Sequence, residues 1–472
     1  MKLVLAAVSV LMLATTLLAE PSYPPSLPGN QDRVVVESGA LLEATAPIKE
    51  DVAIAETPPR VTFLYYPGQT YPGNPWSVWG DGLAVGDVYY SAIGDHRAPQ
   101  GNAFVYRYDS ATGELKQIVD VRETINVPDG YYTPGKIHSR IDLGSDGWLY
   151  FSTHRGSTRA TTKENHFTGG WILRHHAESG RTEVVAHAPL ENQTLPTSVL
   201  DPDRLIFYAG TADGDHTNKQ VQFLAYDVQS REVLYHDDAG PYRAAIFARS
   251  TGRVYFHQAG ERGKALPLVR FDPSMPGPPT PIDAEVGLRA CTIETPDGMV
   301  YTIDGDNLWE FNTQTETARH LGGATVGGQN YIATIDVDPH TWRYLYYVAG
   351  AHGGSYRDGT PLVQYDLETK RRKVICFLHP ALTEETGYTC PAWALTAWRS
   401  LPAVRKSTSP GTATRGAKNV AGSASTPAAS PSSRFLRANG RSRQREQRGG
   451  GVRPAAASGG WLLGIVTMSG AV

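Results

Sequence analysis

The sequence predicts an all-β protein built from many short strands, and three observations support this prediction. The chain of 472 residues contains 48 glycines and 33 prolines, which favour turns over long helices. Aromatic residues make up 10% and charged residues 19%, below the roughly 25% charged residues of an average soluble protein. The third observation is that short apolar and aromatic segments recur along the chain, which is typical of repeated β-sheet units.

Six of these segments align on one aromatic residue each. The aligned residues are Tyr89, Tyr150, Phe207, Tyr255, Tyr301 and Tyr346. Strand-like segments precede and follow each of them, so that each unit contains four short strands. Insertions over 121–136 and 155–169 account for the two longest spacings. Four strands in a unit of about 45 residues are typical of one blade of a β-propeller.

The turn chemistry repeats with the strands. In most units the third strand ends in an aromatic residue and an aspartate, followed by small polar residues, as in Tyr108-Asp109 and Tyr226-Asp227. An aspartate in this position accepts hydrogen bonds from its own backbone turn. We therefore interpret these aspartates as structural and not as metal ligands.

A seventh unit begins at Tyr388 and reaches Trp398, but no further strands follow it. We expect a seven-bladed β-propeller with an incomplete last blade. The segment Arg60–Tyr66 precedes the first unit and has the pattern of a strand. It is predicted to join the last blade and close the ring.

The first 19 residues have the pattern of a secretory signal peptide. Lys2 precedes an apolar run from Leu3 to Leu18, and the small residue Ala19 follows. The run is shorter than the about 20 residues that cross a bilayer. We expect a secreted or periplasmic protein that has no membrane attachment once the signal peptide (1–19) is removed.

Composition divides the remaining chain into three parts. These are an extended N-terminal segment or linker (20–58), the propeller (59–400), and a disordered tail rich in Ser, Ala, Pro, Gly and Arg (401–472). The tail has eleven Lys and Arg residues and one acidic residue, which gives it a charge of +10. Because the net charge of the whole chain is −3, the rest of the chain has a charge of −13. An acidic body argues against nucleic acid as a partner, and we expect a monomer.

Three cysteines are too few for a disulfide scaffold or a zinc finger. Cys376 and Cys390 could pair with each other, which would leave Cys291 as a thiol. The sequence does not decide between the two states.

Polar side chains collect on one predicted rim of the disc, where second strands end and first strands begin. His138 begins an innermost strand and His154 ends the next strand of the same blade, so antiparallel pairing predicts that they are neighbours. Arg155 follows His154, and Tyr242 and Arg243 lead into the first strand of another blade. Neighbouring histidines suit acid–base catalysis, carboxylate binding or metal ligation.

A divalent metal ion is one of these alternatives. Zinc takes three or four protein ligands, so a metal at this rim would require further histidines beside the neighbouring pair. The predicted ligand set is His138, His154, His166 and His352. The sequence leaves open whether a metal is bound.

The repeats resemble those of secreted bacterial seven-bladed β-propeller proteins, including polysaccharide lyases of the ulvan lyase and oligogalacturonate lyase types. The general resemblance covers roughly 60–398. Its catalytic part concerns the segments KIHSR (136–140) and STHRG (152–156).

The resemblance implies a polysaccharide lyase that cleaves uronate polymers by β-elimination. Arg155 or Arg243 would neutralise the uronate carboxylate. Tyr242 or one of the two histidines, His138 and His154, would remove the neighbouring C–H proton. The other histidine would protonate the leaving oxygen.

Two alternatives stay open at this point. One is a non-catalytic propeller that binds an acidic polysaccharide, another glycan or a protein, with Trp76, Trp79 and Tyr356 as stacking surfaces. The other is a lactonase-like hydrolase with a metal ion in the central channel.

Overall fold

The ring of β-sheets in the computed structural model confirms the predicted β-propeller. The structure describes residues 32–64, 66, 81–95, 101–157, 159–214, 221–259, 267–275, 277–350, 355–379, 381, 433–434 and 463–465. Within this part of the chain, six blades and a seventh, three-stranded sheet follow one another around the axis.

The N-terminal segment contributes three strands, which are β1 (Arg33–Val36), β2 (Val52–Ile54) and β3 (Val61–Leu64). A 3-10 turn at Gly39–Leu42 lies between the first two. Strand β2 pairs in parallel with the outermost strand of blade 6. Part of the segment 20–58, taken from its composition as extended, is thus built into the sheets.

The first three blades follow in chain order. Blade 1 consists of β4 (Leu83–Val85), β5 (Val88–Gly94), β6 (Ala103–Asp109) and β7 (Leu115–Asp120). In blade 2 the innermost strand is split into β8 (Lys136–Ile137) and β9 (Asp142–Leu143). The other strands of this blade are β10 (Trp148–His154), β11 (Trp171–His176) and β12 (Thr182–His187). Blade 3 consists of β13 (Gln193–Asp201), β14 (Ile206–Asp213), β15 (Gln222–Asp227) and β16 (Glu232–Asp238).

The other three blades repeat this order. Blade 4 consists of β17 (Pro241–Ala248), β18 (Arg253–Gln258), β19 (Leu268–Phe271) and β20 (Thr280–Pro281). Blade 5 consists of β21 (Ala290–Cys291), β22 (Met299–Asp304), β23 (Asn307–Asn312) and β24 (Thr317–Gly323). Blade 6 consists of β25 (Asp336–Val337), β26 (Tyr344–Val348), β27 (Pro361–Asp366) and β28 (Arg371–Phe377). A 3-10 turn at Ser355–Asp358 lies between β26 and β27.

The aligned aromatic residues occupy equivalent places in the blades. All six lie on the second strand and are buried. Each faces the third strand of its own blade in antiparallel register, as Tyr89 faces Tyr108 and Phe207 faces Tyr226. The repeat in the sequence therefore corresponds to one packing position of the propeller.

The predicted turn chemistry is confirmed as well. The Asp109 carboxylate accepts the backbone N–H of Ala111 and Thr112 at 3.1 Å, and Asp227 and Asp366 bond their turns in the same way. Blade 2 has a histidine there, and His176 Nδ1 accepts the Ser179 N–H at 3.2 Å.

The two predicted insertions emerge at blade 2. The first contains the helix α1 (Val121–Ile125). Asp120 caps its N-terminus, where the Asp120 carboxylate accepts the Glu123 N–H, and Asn126 caps its C-terminus in the left-handed backbone conformation. The second, over 155–169, joins blade 3 through the Thr161 hydroxyl, which donates to the Gly214 carbonyl at 2.6 Å.

Strand β3 lies where the sequence predicts a closing strand, between blade 6 and blade 1. It pairs with β1 in the seventh sheet. Phe63 packs with Tyr346 of blade 6, and Tyr66 stacks on Tyr106 of blade 1 with ring centroids 4.2 Å apart. The segment from Tyr388 to Trp398 lies outside the described residues.

Two short segments of the basic tail also lie in sheets. Strand β29 (Ser433–Arg434) pairs with β4, and β30 (Leu463–Ile465) pairs with β3. The disorder predicted for 401–472 is therefore wrong for these two segments. They form strands because the edges of β4 and β3 offer backbone groups with which another strand can pair. The remainder of the tail lies outside the described residues.

Cys376 is fully buried between blade 6 and the seventh sheet, and this burial raises the pKa of its thiol. Cys390 lies outside the described residues, so the pairing of Cys376 with Cys390 stays a prediction. In the part of the chain that the structure describes, no helix is long and apolar enough to cross a membrane.

We predict that Phe63→Ala lowers the free energy of unfolding by about 3–5 kcal/mol, because the ring is fully buried where the propeller closes. Urea denaturation measures this change. Val35→Ala, on the neighbouring strand β1 with 42% of the residue exposed, is the control and should stay within about 0.5 kcal/mol of the wild type. Equal effects of the two substitutions would contradict the closing role of β3.

A second prediction concerns acid stability. Burial, with repulsion from His176, lowers the pKa of His175 to about 4, whereas in the unfolded chain it returns to about 6.5. Between these values the unfolded chain binds a proton that the folded chain excludes, so stability falls as the pH falls from 6.5 towards 4. Thermal unfolding of His175→Asn should be less sensitive to pH over this range.

The exposed His236 supplies the control for this prediction. His236→Asn should keep the pH dependence of the wild type. If His175→Asn kept it too, another group would have to carry the acid sensitivity.

Candidate functional site

The predicted histidine pair is brought together at one rim of blade 2. Strand β8 leads into His138, and strand β10 ends at His154, whose cross-strand neighbour is Lys136. The ring centroids of His138 and His154 are 5.3 Å apart, and the ring planes are inclined by 65°. His138 is buried, with 3% of the residue exposed, whereas His154 is half-buried.

Blade 3 orients both imidazole rings. His138 Nδ1 lies 2.7 Å from the Pro196 carbonyl oxygen, which can only accept, so Nδ1 carries the proton. His154 Nδ1 lies 2.9 Å from the Thr194 hydroxyl oxygen. Because that hydroxyl donates to the Ala212 carbonyl at 3.1 Å, it accepts from His154. In their neutral forms both histidines therefore present Nε2 as the basic nitrogen.

Charged side chains surround the pair. Lys136 and Arg155 are each 5% exposed, and the acids Asp95 and Asp213 are buried at the same rim. Arg155 Nη1 donates to the backbone carbonyl of Asp213 at 2.9 Å. Buried charges require nearby polar partners, and here residues of blades 1, 2 and 3 together form one polar cluster. Arg155 therefore links blades 2 and 3 as well as adding positive charge.

Arg243 lies one blade further around the axis. Its backbone carbonyl accepts the hydroxyl proton of Thr197 at 3.3 Å, and Thr197 directly follows the Pro196 that bonds His138. Arg243 is less buried than Arg155. Tyr242 belongs to strand β17, and its side chain lies outside the described part of the structure.

The histidines predicted as metal ligands do not all meet. His166 stacks on Tyr131 with ring centroids 4.0 Å apart, in a backbone with φ of 54°. Among the described residues, no three His, Cys, Asp or Glu side chains are grouped so that they could hold a metal. His138, His154 and His166 thus do not form the predicted metal site by themselves, and His352 lies outside the described residues.

The innermost strands surround a small axial cavity of about 20 Å³. Its lining includes Arg140, Ser198, Arg289 and, as the one carboxylate among the lining residues described, Asp81. Arg140 pairs with Asp142 at 2.8 Å. The metal ion in the central channel of a lactonase-like hydrolase stays an untested alternative.

Close backbone packing explains how the rim holds this shape. Gly94, Gly101, Gly135 and Gly156 approach one another around the backbone of Asp95. A Cβ atom on Gly135 or Gly156 would overlap the Asp95 carbonyl oxygen. The glycines thus allow the loops of blades 1 and 2 to meet next to Lys136.

Sequence reasoning did not assign the residues of blade 3 that fix the histidines. Thr194 is part of the sequence Asn192-Gln193-Thr194, which by itself indicates only a glycosylation sequon. Pro196 acts through its backbone carbonyl, which no side-chain pattern reveals. Lys136, by contrast, belongs to the segment KIHSR (136–140), which the sequence analysis places at this rim.

The fold and this rim define a β-propeller with a cluster of histidine and cationic side chains beside its axis. No known family model and no curated protein matches the sequence.

Solved structures similar to this chain are other propellers and propeller-containing proteins. The oligogalacturonate lyase of Vibrio parahaemolyticus is 13% identical, over 71% of this chain and 86% of that chain, with a TM-score of 0.41. The propeller domain of the Trilobed protease of Pyrococcus furiosus is 11% identical, over 64% of this chain and 83% of that chain, with a TM-score of 0.38. The acylaminoacyl peptidase of Pyrococcus horikoshii is 10% identical, over 64% of this chain and 46% of that chain, with a TM-score of 0.38.

We predict that Gly135→Ala destabilises the protein by about 1–3 kcal/mol, because the new methyl group forces the Asp95 backbone away. Urea denaturation measures this change. Gly39→Ala is the control, since a Cβ there meets no atom within 4 Å. A Gly135→Ala protein as stable as the control would show that the rim backbone yields freely.

Proposed function

We propose that this protein is exported, binds uronate-containing polysaccharide at the rim of blade 2 and cleaves it by β-elimination. The observation that carries the proposal is the pair His138 and His154, whose rings lie 5.3 Å apart with both Nδ1 atoms fixed by blade 3. The export rests on the predicted signal peptide.

The pair suits a reaction that needs an acid and a base together. In this reaction one ring carries a proton on Nε2 while the Nε2 of the other ring is unprotonated. The Nε2 of the neutral ring accepts the proton bonded to the carbon beside the uronate carboxylate. The Nε2–H of the protonated ring donates to the glycosidic oxygen as its bond to carbon breaks. The product is an unsaturated uronate, and the pair still holds one proton.

Removal of that carbon-bound proton also requires that the charge of the carboxylate be compensated. We assign this role to Arg243, which is half-buried and lies beside the strand that bonds His138. Arg155 is nearly fully buried against Asp213, so we assign it a positioning role. The guanidinium of Arg243 would bind the carboxylate through two parallel hydrogen bonds. Tyr242 stays an alternative base.

Charge distribution supports an acidic polymer as the ligand. Residues 1–400 carry a net −13, yet the cations Lys136 and Arg155 are buried at the rim that holds the histidine pair, together with the acids Asp95 and Asp213. We propose that these cations, with Arg243 of the neighbouring blade, bind carboxylates of the polymer. The non-catalytic alternative uses the same rim, although Trp76, Trp79 and the Tyr356 side chain lie outside the described residues.

The test follows the ultraviolet absorbance of unsaturated uronates while the purified protein is incubated with a panel of uronate polysaccharides. We expect the absorbance to rise, and His154→Ala or His138→Ala to lower the rate by at least about 100-fold, since general acid–base catalysis contributes about that much or more. Arg243→Gln should chiefly raise KM. His236→Ala, on the outermost strand of blade 3, is the matched control and should keep the wild-type rate.

The alternatives give different results in the same experiment. Full activity of His138→Ala on every cleaved substrate would contradict the assigned roles. Saturable glycan binding without any product would favour the binding module. Loss of activity in the presence of a chelator would mean that residues outside the described part complete a metal site with the histidine pair.

A further inference from the structure

We infer that Tyr131 and His166 form an aromatic platform on which a sugar unit of the bound polysaccharide stacks, beside the unit that is cleaved. The two rings belong to the two insertions of blade 2 and are not part of the histidine pair. The inference rests on the proposed function, because it assigns a further contact to the same polymer.

The aromatic platform joins the two insertions of blade 2. Tyr131 comes from the first insertion and His166 from the second. Their ring centroids are 4.0 Å apart, and the ring planes are inclined by 14°. Beside the platform, the Tyr132 N–H donates to the Asn165 carbonyl oxygen at 2.6 Å, which fixes the two backbones against each other. A surface that is held in this way loses little conformational freedom when a ligand binds.

The packing of the insertions does not explain why the two rings of the platform are exposed. The adjacent residues Tyr132 and Phe167 are buried and already join the insertions, with ring centroids 4.8 Å apart. Tyr131, by contrast, is 38% exposed, and among the described residues it is the one aromatic in the group of exposed large apolar side chains. His166 is exposed as well, in a left-handed backbone conformation that is unfavourable for a residue other than glycine. Exposed aromatic rings and local strain are typical of binding surfaces.

The aromatic platform lies on the segments that lead to the histidine pair. Tyr131 is five residues before Lys136, the cross-strand neighbour of His154, and five residues extend over at most about 18 Å. Burial raises the pKa of the Tyr132 phenol, and the charge of Arg155 nearby opposes this rise. A polymer bound at the histidine pair therefore reaches the platform within a few sugar units.

The chemistry of the platform suits the face of a sugar ring. A pyranose ring presents C–H bonds on one face, and an aromatic ring offers them a flat apolar surface. We assign the carboxylates of the polymer to the cations of the rim and this apolar face to Tyr131, with His166 supporting the tyrosine ring from its other side. Contacts with units beside the cleaved bond supply binding energy that helps to place that bond at the reacting groups.

The test measures the binding of polygalacturonate by calorimetry to the full chain carrying His154→Ala, which slows cleavage and leaves the platform intact. In this background we expect Tyr131→Ala to weaken binding by about three- to tenfold, the effect of one ring-stacking contact. Tyr131→Phe keeps the ring and should bind as the background protein does. Met275→Ala removes an exposed side chain between two strands of blade 4 and is the control, with binding equal to that of the background.

Further variants separate stacking from packing. Because His166 acts through the tyrosine ring, His166→Ala should weaken binding less than Tyr131→Ala does. The double substitution should weaken binding no more than Tyr131→Ala alone. Phe167→Ala removes a buried ring and should lower the Tm clearly, whereas Tyr131→Ala should nearly keep the Tm of the background protein.

The inference and the proposed function fail in different ways. Equal binding by Tyr131→Ala and the background protein would overturn the inference, as would the absence of polygalacturonate binding to either. Binding that depends on Tyr131, in a protein whose wild type releases no unsaturated uronate, would contradict β-elimination and support the platform. Cleavage of polygalacturonate with the same KM in the wild type and in Tyr131→Ala would contradict the platform alone.

Discussion

Closure of the ring by strand β3 is the constraint on which the rest of the propeller depends. Every blade must bury both faces against its neighbours, and blades 1 and 6 each have a neighbouring blade in chain order on one side only. Strand β3 supplies it, since Phe63 belongs to the core of blade 6 and Leu64 to the core of blade 1. Alternate residues of a strand point to opposite faces, so a single short strand can serve both blades.

Electrostatic contacts hold the preceding segment in place on the same side of the ring. Lys49 pairs with Asp306 of blade 5 at 2.9 Å, and Arg372 of blade 6 pairs with Asp51. Burial would raise the pKa of Asp306, but hydrogen bonds from Thr325 and Lys49 outweigh it and lower the pKa to about 2. The segment before β3 is therefore fixed at blades 5 and 6 before the chain closes the ring.

The sequence was informative where the structure repeats and uninformative where a single contact joins two blades. The aligned aromatics predicted the second strands, and antiparallel pairing predicted the meeting of His138 and His154. The contacts from Thr194 and Pro196 of blade 3 depend on the curvature of the ring, which leaves no periodic signal. The same holds for β2, whose partner β28 lies more than 300 residues away, and for His166, which stacks on Tyr131 instead of joining the pair.

The cluster at the rim of blade 2 is costly for stability, which supports the function that we propose for it. Apolar side chains would fill the same volume without the cost of burying Lys136, Arg155 and two histidines. The hydrogen bonds that blade 3 supplies offset part of this cost, and they select for each ring the tautomer with the proton on Nδ1. The proton transfer that we propose would require such a fixed tautomer. The contact between blades 2 and 3 thus also defines which ring nitrogens the proposed reaction would use.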